Sequence, residues 1–106
     1  MKNFLKLLLL SSLLSSVVYA KNHVVDQKNK TFIPHHLSVN VGDTITFKNS
    51  DDFAHNVYTD DEDNEFDVGM QAAGTSSTVT VRAAGKFIVE CAIHPNMLLE
   101  VTATEK

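Results

Sequence analysis

The chain has 106 residues, nine Lys or Arg against thirteen Asp or Glu, a net charge of −4 and one cysteine. That length supports one small domain. The acidic balance argues against a nucleic-acid partner, and a single cysteine excludes an internal disulfide.

Residues 1–20, MKNFLKLLLLSSLLSSVVYA, set Lys2 and Lys6 ahead of an apolar run and end in Val18-Tyr19-Ala20. A basic start, a short apolar stretch and small residues at the last and third-last positions predict a secretory signal cleaved after Ala20. The run is short and interrupted by serines, so a removed leader is expected rather than a membrane span. Residues 21–106 are then one exported domain, expected in the periplasm and without a membrane span. It is more acidic than the whole chain, because Lys2 and Lys6 leave with the leader. Such a surface suits basic protein partners. In an oxidising compartment Cys91 is expected to be an intermolecular bridge, a reactive thiol or a metal ligand rather than an idle thiol.

Cleavage after Ala20 would expose Lys21-Asn22-His23. A free amine, two deprotonated amides and a third-position imidazole can hold Cu(II) or Ni(II) in a square plane of nitrogens. A plain frayed terminus is the competing expectation.

From there the pattern is period two. HVVDQ and TFI read as strand segments with KNK as the turn between them. His35 and His36 follow Pro34; one is expected to face solvent, the other to pack near the sandwich end, with no metal role. Leu37, Val39 and Val41 alternate with polar residues up to Gly42-Asp43, a turn signal. Ile45 and Phe47 alternate with Thr44, Thr46 and Lys48. His55 lies in NSDDFAHNVYT and is expected on a loop after the strand TITFKN. Residues 59–77 open with an acidic run and keep no period, so they read as a long loop with a short strand or helical turn around Phe66 to Met70. Met70 is expected to pack in the core or the loop. Val79 and Val81, then Phe87, Val89 and Cys91, then Met97, Leu99, Val101 and Ala103 each mark one face of a strand. Alternation of this kind, with turns between, predicts an all-β sandwich or barrel.

The most informative stretch is VECAIHPNM, residues 89–97. Cys91 ends one strand on its inward face, and Met97 begins the next on its inward face. Pro95 fixes its own φ and pushes His94 out of the helical region. A thiol, an imidazole and a thioether therefore line one short, stiff loop. His55, on a loop that an antiparallel sandwich can place alongside, would supply a second imidazole. Two His and one Cys in a trigonal plane, with a weak axial Met, are the ligands of a blue-copper electron-transfer site. Zinc prefers a further Cys or His to a thioether, and iron–sulfur clusters need more cysteines.

The spacing Cys-x-x-His-x-x-Met, with a lone upstream His followed by Asn, resembles the cupredoxins, the small blue-copper proteins of the plastocyanin and amicyanin type. FIPHHLSVNVGDTITFKNSDDFAHNV resembles their first half and GKFIVECAIHPNM their ligand loop. The resemblance implies a Greek-key β-sandwich with one type 1 copper ion at one end, held by His55, Cys91, His94 and Met97. It implies that Asn56 ties the two ligand segments together by hydrogen bonds. The two residues between His94 and Met97 are as in amicyanin, where plastocyanin has four. Tyr58 and the acidic loop are unlike amicyanin and closer to plastocyanin-like periplasmic proteins of bacteria, some linked to copper tolerance.

The expected function is a monomeric periplasmic carrier of single electrons, not itself an enzyme. It would meet cytochromes, oxidases or reductases transiently, with His94 as the exposed edge. A copper-handling protein that binds or oxidises copper is the alternative, and a non-redox adhesion or scaffold sandwich is a third reading. The acidic run is expected to be a solvated loop or a docking surface for a basic redox partner.

Overall fold

The computed structural model describes residues 19–105; the expected leader, up to residue 18, lies outside them. Nine strands follow one another: β1 Asn22–Lys28, β2 Thr31–Ile33, β3 His36–Asn40, β4 Thr44–Asn49, β5 His55–Thr59, β6 Phe66–Gln71, β7 Ser76–Thr80, β8 Gly85–Cys91 and β9 Leu98–Thr104. No helix occurs among the described residues, and none is long and apolar enough to cross a membrane.

The strands form two sheets, in the orders β2-β1-β4-β7 and β3-β9-β8-β5-β6. The chain crosses between them at β2–β3, β3–β4, β4–β5, β6–β7 and β7–β8, giving the expected Greek-key sandwich. The expectation of antiparallel pairing needs correction. β1 runs parallel to β4, and β3 runs parallel to β9. Both parallel pairs join early strands to partners reached by crossing, where no hairpin imposes antiparallel order.

The period-two pattern is realised as burial. Ile45 and Phe47 on β4, Phe87, Val89 and Cys91 on β8, and Leu99, Val101 and Ala103 on β9 all point inward, with Met97 buried just before β9. Phe32 meets Phe47 edge to face, with centroids 6.2 Å apart, and Phe47 lies 5.8 Å from Phe66. These rings join the two sheets across the middle of the sandwich.

Left-handed backbone shapes the strand pairing at two points. Asn29 and Lys30, between β1 and β2, have φ of 55° and 58°. Two left-handed residues make the tight turn whose twist matches a hairpin, and asparagine tolerates that region better than most residues. Gly69 has φ of 71° where the β5–β6 register slips between Asn56 and Tyr58. A glycine at such a slip lets one strand carry an extra residue without steric cost.

The stretch 59–77 is more ordered than its sequence suggests. β6 and the start of β7 occupy much of it, and only the acidic portion and the turn after Gln71 remain irregular. Asn64 organises the acidic portion by holding the segment after β7. Its Oδ1 accepts from Arg82 N and Ala83 N, and its Nδ2 donates to Ala83 O. That buried amide supplies order that a periodicity search does not register.

Candidate metal centre

His55 is the first residue of β5 rather than part of a loop. Its side chain is fully buried. Cys91 is the last residue of β8, and Val57↔Cys91 pairing fixes the two strands against each other. Two hydrogen bonds at the Asn56 backbone lock the junction: Asn56 N donates to Cys91 Sγ at 3.4 Å, and Ala92 N donates to Asn56 O at 3.0 Å. Asn56 therefore does tie the two ligand segments together, through its backbone. Met97 N donates to His94 O at 3.0 Å and closes the loop between β8 and β9.

These constraints bring three donor atoms together. His55 Nδ1 lies 3.1 Å from His94 Nδ1 and 3.8 Å from Cys91 Sγ, and His94 Nδ1 lies 3.6 Å from the same sulfur. Ligands around one transition-metal ion, with bonds of roughly 2.0–2.3 Å, make a triangle of this size. No other group of three or more His, Cys, Asp or Glu side chains among the described residues could hold a metal ion. Met97, the fourth expected ligand, is completely buried at the base of the loop. The donor set of two imidazoles, a thiol and a nearby thioether fits copper.

The surroundings prepare the imidazoles. His55 Nε2 donates to Asp51 Oδ2 at 2.8 Å, so the neutral ring presents Nδ1 as an acceptor toward the cluster. Burial by itself would raise the Asp51 carboxyl. Hydrogen bonds from His55 and from the N–H groups of Lys30 and Asn29 outweigh it and hold the carboxyl below its ordinary value. His94 is shifted down, first by burial and then by the positive charge of His55 and Lys30, with Asp51 opposing. Burial and nearby positive charge thus favour His94 as a neutral base. The Phe53 ring packs edge-on against both, its centroid 5.4 Å from His55 and 5.6 Å from His94.

Asp51 and Phe53 were not legible as site residues. In NSDDFAH, two adjacent aspartates and a phenylalanine precede the histidine, and spacing alone does not say which acid turns inward. The other expectations resolve as follows. His35 and His36 are both exposed, which corrects the expectation that one packs; His36 Nδ1 lies 3.3 Å from Glu100. Met70, expected to pack, is 66% exposed opposite Asn56. The Lys21-Asn22-His23 segment does not hang free. Asn22 and His23 already belong to β1, Thr44 N donates to Lys21 O, and His23 Nε2 donates to Asp43 Oδ2 at 2.9 Å. Wrapping an ion in that backbone would require peeling β1 from β4.

Comparison with known proteins agrees with the geometry. Residues 19–104 match the family described as copper binding proteins, plastocyanin/azurin family. The chain is 30% identical to the methylamine utilization protein MauL of Methylorubrum extorquens, over all of this chain and 98% of the relative. It is 34% identical to plastocyanin of Solanum tuberosum, over 65% of this chain and 81% of the relative. Among solved structures, a reduced amicyanin variant superposes with a TM-score of 0.73 at 27% identity, covering 82% of this chain and 86% of that one. The chain belongs to the plastocyanin/azurin family of copper-binding proteins.

Proposed function

We propose that this protein carries single electrons between redox partners, with one type 1 copper ion held by His55, Cys91, His94 and Met97. The observation that carries this reading is the convergence of His55 Nδ1 and Cys91 Sγ, both buried on paired strands, with His94 Nδ1 from the adjoining loop. Copper supplies a one-electron couple between Cu(I) and Cu(II). The residues do the rest. Cys91 and His55 sit on paired strands, so the donors stay put whichever charge they face. A site that reorganises little exchanges electrons quickly, which suits a carrier.

His94 is the partly exposed member of the set. Phe53, Ile93 and Leu98, each 41–50% exposed, and the exposed Pro95 lie close to it in space or sequence. An apolar rim around an imidazole edge lets a partner approach closely, exclude water and leave again, as a transient redox contact requires. Cytochromes, oxidases and reductases are the partner classes that fit, and the protein works as a monomer that transforms no substrate itself. The expected leader supports the periplasm as the compartment for this exchange.

Copper handling for tolerance is the less favoured reading. The square-planar amino-terminal site that would support it is opposed by the β1–β4 pairing. A relative named for methylamine utilization supports a metabolic role over copper tolerance.

The test is a visible absorption spectrum of mature protein titrated with Cu(II), beside Cys91→Ser. An intense thiolate-to-copper band is expected, bleached by reductant and missing from the serine variant. Folded protein without that band would overturn the reading.

A further inference from the structure

One carboxylate behind the metal centre is more elaborately held than packing requires. Asp51 is 6% exposed and lies just past the end of β4, in the sheet that does not contain His55. It accepts from Asn29 N at 2.7 Å, Lys30 N at 3.1 Å and His55 Nε2 at 2.8 Å. Its own N–H donates to Asn49 Oδ1 at 3.0 Å, and Asn49 Nδ2 in turn holds Phe53 O and Gln71 O. The left-handed pair Asn29-Lys30 aims two successive N–H groups at one anion, as turns that cradle anions do. The anion here is the protein's own side chain.

We propose that Asp51 is a positioning residue that fixes the tautomer and angle of His55 and, through that imidazole, biases the site toward Cu(II). The inference rests on the ligand role proposed for His55. Asp51 reaches no donor atom of the triangle directly. It acts on Nε2, the far side of the ring, and so determines what Nδ1 offers. A carboxylate hydrogen-bonded to a ligand imidazole orients the ring and raises its basicity. A more basic ring favours the more highly charged ion, so the reduction potential falls. The β1–β2 turn completes the device by linking the β2-β1-β4-β7 sheet to His55 through two N–H bonds to the same carboxylate.

The experiment compares Asp51→Asn, Asp51→Glu and unaltered protein. Asp51→Asn removes the charge. It is expected to raise the reduction potential by the equivalent of about tenfold in the Cu(I)/Cu(II) ratio, or about 59 mV for one electron, with the Cys91-dependent band still present. Asp51→Glu keeps the charge and is expected to stay close to the unaltered protein. Nitrogen-15 NMR of the metal-free protein supplies an independent readout. His55 is expected as the Nε2–H tautomer with a slowly exchanging ring proton, and that protection is lost in Asp51→Asn.

The proposal is overturned if Asp51→Asn keeps its band and shifts the ratio less than about twofold. It is equally overturned if Asp51→Glu shifts the potential as far as Asp51→Asn, or if His55 in unaltered protein carries its proton on Nδ1. Should Asp51→Asn not fold, the glutamate variant and the unaltered tautomer decide the matter. Absence of the band from unaltered protein would instead strike the ligand assignment itself.

Discussion

Two aspartates, at opposite ends of β4, use the same device for different ends. Asp43 accepts from His23 Nε2 at 2.9 Å, Lys21 N at 3.0 Å and Asn40 N at 2.9 Å. Asp51 accepts from His55 Nε2 and from the N–H groups of Asn29 and Lys30. Each carboxylate joins an imidazole to two backbone donors, and each is buried. The difference lies beyond the imidazole. Past His55 stand Cys91 and His94; His23 belongs to no such cluster. A buried Asp–His pair is therefore not a site by itself, and the residues on the ring's other nitrogen decide what it becomes.

The sharpest way to break the comparison is to remove each histidine in turn. His55→Ala is expected to abolish the intense visible band and weaken copper binding by more than about 100-fold, beyond the usual cost of losing an outer partner. His23→Ala is expected to leave band and copper stoichiometry unchanged. Copper titration followed by absorbance checks both, and a lost band in His23→Ala would end the claim that the two ends differ.

Next comes the core they share. Phe47 lies midway along β4 and packs against Phe32 and Phe66. Phe47→Ala is expected to cost about 3–5 kcal/mol of unfolding free energy, a large fraction of what a domain of this size holds. Urea unfolding of the copper-free protein measures it. A cost below about 1 kcal/mol would mean that the rings do not join the sheets as described.

The pH response should separate the two ends further. The bond from His23, then those from the N–H groups of Lys21 and Asn40, hold the Asp43 carboxyl far below its usual range. A depressed carboxyl contributes stability that is full above its unfolded value, about pH 4, and that fades as pH falls toward the folded value. Unaltered protein should thus be more stable than Asp43→Asn at pH 6, with the gap narrowing steadily below about pH 4. Urea midpoints at several pH values provide the check, and the reduction potential at pH 7 should not differ between the two. A gap that widened on acidification would reverse the sign assigned to Asp43.

The smallest effect belongs to the acidic loop. Thr59 ends β5, four residues from His55 and about 13 Å away at ~3.3 Å per residue, and Asn64 ties the loop to the segment after β7 near Asp43. Glu62 and Asp63 are exposed there. Replacing them together by Gln and Asn is expected to leave spectrum and potential unchanged and stability within about 0.5 kcal/mol. Only the salt dependence of electron exchange with a basic partner should soften, as measured by stopped-flow rates across ionic strength.

Much of this was legible beforehand, for reasons that differ by region. Ile45, Phe47, Phe87, Val89, Leu99 and Val101 announced their strands because one face is wet and the other buried. Cys91, His94 and Met97 stood out because a thiol, an imidazole and a thioether at short, regular spacing seldom fall together by chance. β5 was hidden, since His55-Asn56-Val57-Tyr58-Thr59 begins with a buried histidine and ends with a buried threonine, which a search for alternating apolar residues does not detect. The parallel pairings and the grip of Asn29 and Lys30 on Asp51 were also hidden. They join residues more than twenty positions apart, and in β3–β9 more than sixty, and such contacts depend on topology rather than on local pattern.

The β5–β8 contact has a consequence for assembly. Val57↔Cys91 and Tyr58↔Glu90, with the Ala92 N–Asn56 O bond beside them, set the register between these strands. A slip of one residue would turn every side chain of β5 to the opposite face, carrying His55 out to solvent and Asn56 in. A chain paired that way keeps Cys91, His94 and Met97 but has no second imidazole to offer. The visible colour of the loaded protein is therefore a reading of strand alignment, and copper retention sorts correctly paired molecules from those one residue out of step.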